Sequence, residues 1–352
     1  MHSECSTYQI EGIVSLNTLI NPVDITLFQS AVCRLDTLFS VYAGTCPSPI
    51  PAPALIITSE IRSQCERYLP ISCISSLFKS FYSAALSYRP VFSSTPFYNS
   101  LSWADTFTML PAEFQRSANP ARLLESLLTD SALLTRFIFT SFLPNRFYGR
   151  LGRYPGQQNF IRKWLMTRKV KKLDCLDTAC GTGEDTYYLA FLLSETGFTP
   201  ESVYIEGWTL DPLEVWAAEH RRFPHDQRRE ELLREITAPV FTQGYGAKIS
   251  FHCHNILSLP PQDKGTGKLG FDLILCNGLL GGPIIHDRQS LSRVIRNLAQ
   301  LLNPGGMLLA ADHFHGGWKQ KCPQSELRAS FEANYLKSFA AGEGIGGLKS
   351  DQ

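Results

Sequence analysis

Two patterns of apolar residues divide the chain. From Gln157 onward, short apolar runs that suit strands alternate with stretches in which apolar residues recur at helical spacing. Such alternation marks a parallel sheet covered on both faces by helices. It predicts helices at Gln157–Arg168, Asp185–Ser194, Pro212–Arg222, Arg228–Ile236 and Asp287–Leu302. Strands are predicted at Leu173–Thr178, Ser202–Leu210, Lys248–Cys253, Phe271–Cys276 and Met307–Asp312, the last preceded by a turn at Asn303-Pro304-Gly305-Gly306. The fold class that follows is α/β, a Rossmann-like doubly wound, mostly parallel sheet whose ligand sits beyond the carboxyl ends of the strands. Phe339–Lys349, with Gly342, Gly344, Gly346 and Gly347, suits either a flexible lid or an irregular final strand.

The preceding residues differ in character. Short apolar stretches are broken by serine and proline, including Pro47, Pro49, Pro51 and Pro53 and the loop Pro90–Pro96. Helical spacing shows at Asp24–Val41 and Ile61–Leu69. Asn119 before Pro120 suits an N-cap with proline at the first helical position, opening a helix to Leu128, and Asp130 suits the cap of another through Leu143. Residues 1–145 are therefore expected to form a mostly helical accessory domain, and residues 146–352 the α/β domain.

Composition changes the picture little. Hydrophobic residues make up 44% and charged residues 18%, as in folded proteins. With 33 Lys and Arg against 32 Asp and Glu, the net charge of +1 gives no field that would draw nucleic acid or an anionic membrane. The basic stretch Arg162–Lys172 suits a solvated helix end and turn. Ten cysteines lack C-x-x-C or zinc-finger spacing, so they are expected to be buried small hydrophobes in a reducing compartment. No basic-then-apolar leader and no run near the ~20 apolar residues of a membrane span is visible, so a cytoplasmic location is expected.

Candidate chemistry concentrates at Leu176-Asp177-Thr178-Ala179-Cys180-Gly181-Thr182-Gly183-Glu184, where a strand runs into a glycine turn that opens a helix. Gly181 and Gly183 let backbone approach a ligand without an intervening Cβ. A dinucleotide site would carry a third glycine where Thr186 stands, and Glu184 and Asp185 would repel a diphosphate at that helix start. The two carboxylates suit a ligand that carries positive charge.

Leu173–Ala190 resembles motif I of class I S-adenosylmethionine (SAM) dependent methyltransferases, and Thr182-Gly183-Glu184-Asp185-Thr186-Tyr187 is similar to the T-G-E-E-P-Y stretch of the chemotaxis-receptor glutamate methyltransferase (CheR) family. Phe251–Leu257 resembles the family's F-x-x-x-N-L-L, Phe271–Asn277 its F-D-x-I-x-C-R, and Leu301–Gly306 its L-L-x-P-G-G. The resemblance implies SAM as cofactor. Asp177 and the turn Ala179, Cys180, Gly181, Thr182 and Gly183 would then hold its methionine part, with Glu184 accepting hydrogen bonds from its polar end. Asn255 and Ile256 would meet the adenine, and Asn277, Gly278 and Leu279 would line the floor below the sulfonium. Arg150 answers the arginine of the family's F-F-R across a one-residue gap. Gly183→Arg is expected to abolish cofactor binding with the fold largely intact.

Two departures from the family stand out. The acid that ends the second strand and grips the ribose hydroxyls falls at Thr209; either Asp211 replaces it or Thr209 gives one weaker bond, and Asp211 also suits a helix cap. In Cys276–Pro283 the family's arginine becomes Asn277 and its tyrosine Gly282, so a receptor glutamate is not inferred as acceptor. The function expected is methyl transfer to a small molecule or a protein side chain. Alternatives are a CheR-like protein-glutamate carboxyl methyltransferase and a catalytically silent SAM-binding scaffold. A dehydrogenase is disfavoured by Thr186 and by Glu184-Asp185. Base candidates near strand ends are His286, Asp312, His313 and His315, none singled out as catalytic. No metal site is expected, since His313 and His315 alternate faces if the strand continues. Trp208 is the better aromatic candidate for an acceptor pocket, Trp318 a second, and Trp216 is expected to be packed.

Overall fold

A computed structural model describes residues 15–143, 151–168, 170–258, 270–282, 285–312 and 322–350. They divide into two compact units, one of residues 15–143 with 223–227, the other of 151–222 with 228–350.

The first unit is helical: α1 (Leu16–Leu19), α2 (Gln29–Thr45), α3 (Ser59–Tyr68), α4 (Ile71–Ala85), α5 (Trp103–Met109), α6 (Pro120–Thr129) and α7 (Ser131–Phe142). The expected caps are in place. Asn119 Oδ1 accepts from Ala121 N at 2.9 Å, and Asp130 Oδ1 from Ala132 N and Leu133 N, each at 2.9 Å. In this unit sequence periodicity missed α1, α4 and α5, and α4 is the longest of them. Its serines make the segment look like a loop, yet Ile74, Phe78, Phe81, Tyr82 and Ala85 are all buried along one stripe. That stripe anchors an aromatic core in which Phe78 stacks on Phe97 at 4.3 Å and the Tyr82 hydroxyl meets Ser141 Oγ at 2.8 Å. His225, on the short return segment, places Nε2 2.9 Å from the Leu143 carbonyl oxygen. The expectation of uniformly buried cysteines is corrected here: Cys33 and Cys73 are exposed, because both lie off the packed stripes of α2 and α4.

The second unit is a seven-stranded sheet in the order β3-β2-β1-β4-β5-β7-β6. The strands are β1 (Leu173–Asp177), β2 (Val203–Thr209), β3 (Ile249–Cys253), β4 (Phe271–Leu275), β5 (Leu302–Ala311), β6 (Leu336–Ala341) and β7 (Gly344–Lys349). β1 to β5 run parallel, and β7 enters antiparallel between β5 and β6. The helices are α8 (Pro155–Thr167), α9 (Glu184–Glu195), α10 (Pro212–His220), α11 (Gln227–Thr242), α12 (Arg288–Leu301) and α13 (Gln324–Ala333). The Rossmann-like α/β fold is thus the observed one.

Several boundaries differ from expectation. α11 continues beyond Ile236 and carries Pro239 to end at Thr242. β5 begins at Leu302 and includes the expected turn, with a register shift against β4 between Phe271 and Leu273. The C-terminal segment forms a regular hairpin. A Cβ on Gly346 would lie 2.3 Å from the Phe339 ring, and one on Gly347 2.6 Å from Phe331, so only glycine fits beneath these aromatics. At the hairpin turn, Glu343 accepts from Gly156 N at 2.7 Å and Gln157 N at 2.8 Å and so caps α8. Among the described residues, no helix is long and apolar enough to cross a membrane.

Candidate functional site

The strand order puts the carboxyl ends of β1, β2, β3 and β4 along one edge, with the reversal of chain order between β1 and β4. β1 ends at Asp177, which is 1% exposed. Its Oδ2 accepts from Thr186 Oγ1 at 2.8 Å and its Oδ1 from Ala179 N at 3.4 Å. Burial, and next the negative charge of Asp185, push the Asp177 carboxyl up to about 7. Burial likewise pushes Asp185 up to about 6, opposed by the Arg153 guanidinium. A carboxyl held half-neutral at the head of a glycine turn is relieved by an incoming cation.

The turn itself is closed by a hydrogen bond from Gly183 N to the Cys180 oxygen at 2.8 Å, and it is tied to β2 by one from Cys180 N to the Trp208 oxygen at 3.0 Å. Gly181 and Gly183 have φ of 53° and 89°. A Cβ on Gly183 would lie 2.9 Å from the Phe251 ring and 3.2 Å from Ala218 Cβ. The expectation that Gly183→Arg spares the fold is therefore corrected, since any side chain there strikes packed atoms before it meets a ligand.

Glu184 opens α9. Its Oε1 accepts from Arg229 Nη2 and its Oε2 from Thr182 Oγ1, each at 2.7 Å, and Arg229 Nη2 also donates to Thr182 Oγ1 at 2.6 Å. The ion pair is largely buried, at 11% and 13% side-chain exposure. Both oxygens of Glu184 are thus engaged by the chain itself.

At the end of β4, Asn277 acts as a clamp. Its Oδ1 accepts from Gln157 Nε2 and from Ala311 N, each at 3.0 Å, and its Nδ2 donates to Gln157 Oε1 at 2.9 Å. One side chain so joins α8 and β5 to the end of β4. Gly278 follows with φ of 71°, its N donating to the Ala311 oxygen at 2.8 Å, and Leu279 packs against the apolar core. A Cβ on Gly278 would stand 3.8 Å from Arg153 Nη1, which places that guanidinium beside the floor segment. Arg150, His313, His315 and Trp318 lie outside the described residues.

At the end of β2, Asp211 is the N-cap of α10. Its Oδ1 accepts from Leu213 N at 2.9 Å. Thr209 Oγ1 donates to Glu214 Oε2 from the first turn of that helix. After β3, Asn255 Oδ1 accepts from Leu257 N at 3.0 Å, and Ile256 is buried in the same apolar cluster as Trp208. His254 N donates to the Thr209 oxygen at 2.8 Å, which joins this segment to the β2 end.

Trp208 is corrected as an acceptor-pocket candidate: it is a core residue, its indole N–H donating to Glu206 Oε2 at 2.9 Å. Trp216 is packed, stacked on His220 at 4.7 Å. Asp312 is buried at the end of β5, and His286 follows the short bridge between Leu280 and Ile285. Among the described residues, no group of His, Cys, Asp and Glu is arranged to hold a metal.

Residues 157–313 match the model of the CheR methyltransferase, SAM binding domain. This stretch is a CheR-type SAM-binding domain. SAM is its cofactor, and the buried Asp177 beside two glycines of positive φ suits a ligand carrying an ammonium and a sulfonium. No curated protein matches the chain. Among solved structures, the [4+2]-cyclase SpnF is 18% identical over 51% of this chain, which spans 58% of SpnF, with a TM-score of 0.33. The sugar N-methyltransferase KedS8 from Streptoalloteichus sp ATCC 53650 is 17% identical over 56% of this chain and 90% of its own, with a TM-score of 0.37. CalS10, an amino pentose methyltransferase from Micromonospora echinaspora, is 14% identical over 55% and 90%, with a TM-score of 0.37.

Sequence reasoning missed Arg153, Gln157, Thr186, Glu214 and Arg229 as parts of this site. Thr186 carried a signal, standing where a dinucleotide motif has glycine. The others sit on helices or their flanks, where a charged or amide residue looks like solvated surface until the fold brings it in.

Proposed function

We propose that the chain transfers a methyl group from SAM to an acceptor that is a small molecule or a protein side chain. The observation that carries this is the Asp177 carboxyl, buried at the glycine turn and pushed up to about 7, a state that a bound cation reverses. Asp177 and the turn from Ala179 to Gly183 would hold the methionine part. Arg153, whose guanidinium stands beside Gly278, would meet its carboxylate. Asn255 and Ile256 would flank the adenine, and Gly278 and Leu279 would line the floor.

When bound, the cofactor supplies a methyl group already activated on a sulfonium. The chain's own task is alignment and exclusion of water. Asn277 serves that task by locking the floor segment to α8 and β5 through its amide. The same engagement argues against Asn277 reaching an acceptor. Together with Gly282, whose Cβ would press on the Leu279 carbonyl at 3.2 Å, it favours an acceptor pocket shaped differently from that of a receptor-glutamate methyltransferase.

The test is incubation of the protein with methyl-labelled SAM and separate panels of carboxylate, amine and hydroxyl acceptors. Label transferred to one class supports the proposal. Cofactor binding with no transfer to any of them would favour the silent scaffold.

A further inference from the structure

The family's ribose acid is missing at Thr209, and Asp211 caps α10 through its Oδ1. A carboxylate nevertheless stands at that place. We infer that Glu214, carried by α10 rather than by the strand, is the group that grips the ribose hydroxyls of the cofactor, an inference that rests on the cofactor assignment above.

Three observations converge on it. First, Thr209 Oγ1 donates to Glu214 Oε2, so the carboxylate lies beside the strand end where the family's acid would project. Second, Glu214 occupies the third position of α10 after the Asp211 cap, from which a glutamate ordinarily reaches back to the cap's N–H. Here the Asp211 N–H is directed to Thr209 Oγ1 at 3.4 Å, and Glu214 is turned to the strand end. Third, the surroundings match a ribose. Thr209 O is bonded to His254 N, next to the adenine candidates Asn255 and Ile256, while Trp208 O is bonded to Cys180 N in the glycine turn. The Cys180 thiol is pushed far up by burial, and then by the charges of Asp177, Glu214 and Glu184, so the Glu214 charge is felt at the turn as well. A group lying between the adenine segment and the methionine turn meets the sugar that connects them.

A carboxylate that accepts from a vicinal diol makes two charge-assisted hydrogen bonds. The experiment is calorimetric titration of wild type, Glu214→Gln and the double variant Thr209→Asp/Glu214→Gln with S-adenosylhomocysteine and with its 2′,3′-dideoxy analogue. Wild type is expected to prefer the diol by about tenfold to a hundredfold, as hydrogen bonds to a charged group imply. Glu214→Gln should lose most of that preference while binding the dideoxy analogue as wild type does, and the double variant, with the acid back on the strand, should regain it. Glu214→Gln that still prefers the diol as strongly as wild type, or that weakens both ligands equally, overturns the inference alone. A double variant that recovers no preference also counts against it. Folded wild type that binds neither ligand overturns the cofactor assignment, and the inference with it.

Discussion

Arg229 on α11 reaches Glu184 at the first position of α9, its Nη2 2.7 Å from Oε1, with both side chains largely buried. A guanidinium so placed neutralises one of the acids at the glycine turn and fastens α11 to the helix that carries the cofactor motif. Two cationic groups therefore reach the turn region, Arg229 on Glu184 and Arg153 against Asp185 and Asp177.

Arg229→Gln should lower stability by about 2 kcal/mol, because a buried carboxylate loses its charged partner. The same change should enlarge the thermal stabilisation given by S-adenosylhomocysteine, whose ammonium then meets an uncompensated Glu184. Thermal melts with and without the ligand check both effects. A variant that melts as wild type does would show that the pair adds nothing.

Asp177 and Asp185 have folded-state values raised from 3.8 to about 7 and about 6. The fold thus favours their protonated forms, and the unfolded chain releases these protons first. Ligand-free stability from these groups is full below about pH 4, falls as pH rises through about 7, and is flat above it. A bound ammonium favours the ionised forms, so S-adenosylhomocysteine should bind more tightly as pH rises to about 7, with proton release. Calorimetry at pH 6 in two buffers of different ionisation enthalpy detects that release. Asp177→Asn should remove most of it.

Gly183→Ala should cost about 2 kcal/mol or more in urea unfolding. It places a Cβ at φ of 89° and within 3 Å of the Phe251 ring. Gly207→Ala should behave alike, since its Cβ would meet the same ring at 2.6 Å. Wild-type stability in either variant would contradict the packing described.

The sheet was legible because its strands are short apolar runs and its helices carry caps that act locally. Asn119, Asp130 and Asp287 each cap the helix that the pattern placed after them. Motif I was legible for the same reason, being one contiguous turn. α4 was not, because serines interrupt a stripe that only burial of Ile74, Phe78 and Phe81 reveals. Nor were β6 and β7, whose glycines answer contacts with Phe331 and Phe339 rather than flexibility. Arg229 lies 45 residues from Glu184 along the chain, and in Arg228-Arg229-Glu230-Glu231 nothing separates the inward arginine from its solvated neighbour. Trp208 misled for the converse reason: an aromatic at a strand end suggests a pocket wall, but its neighbours close over it.

The most direct test is calorimetric titration of the folded protein with S-adenosylhomocysteine, with NAD as control. Saturable one-site binding of S-adenosylhomocysteine alone, lost in Asp177→Ala, is the predicted result. Binding of NAD instead, or no binding of S-adenosylhomocysteine by protein shown to be folded, would contradict the account.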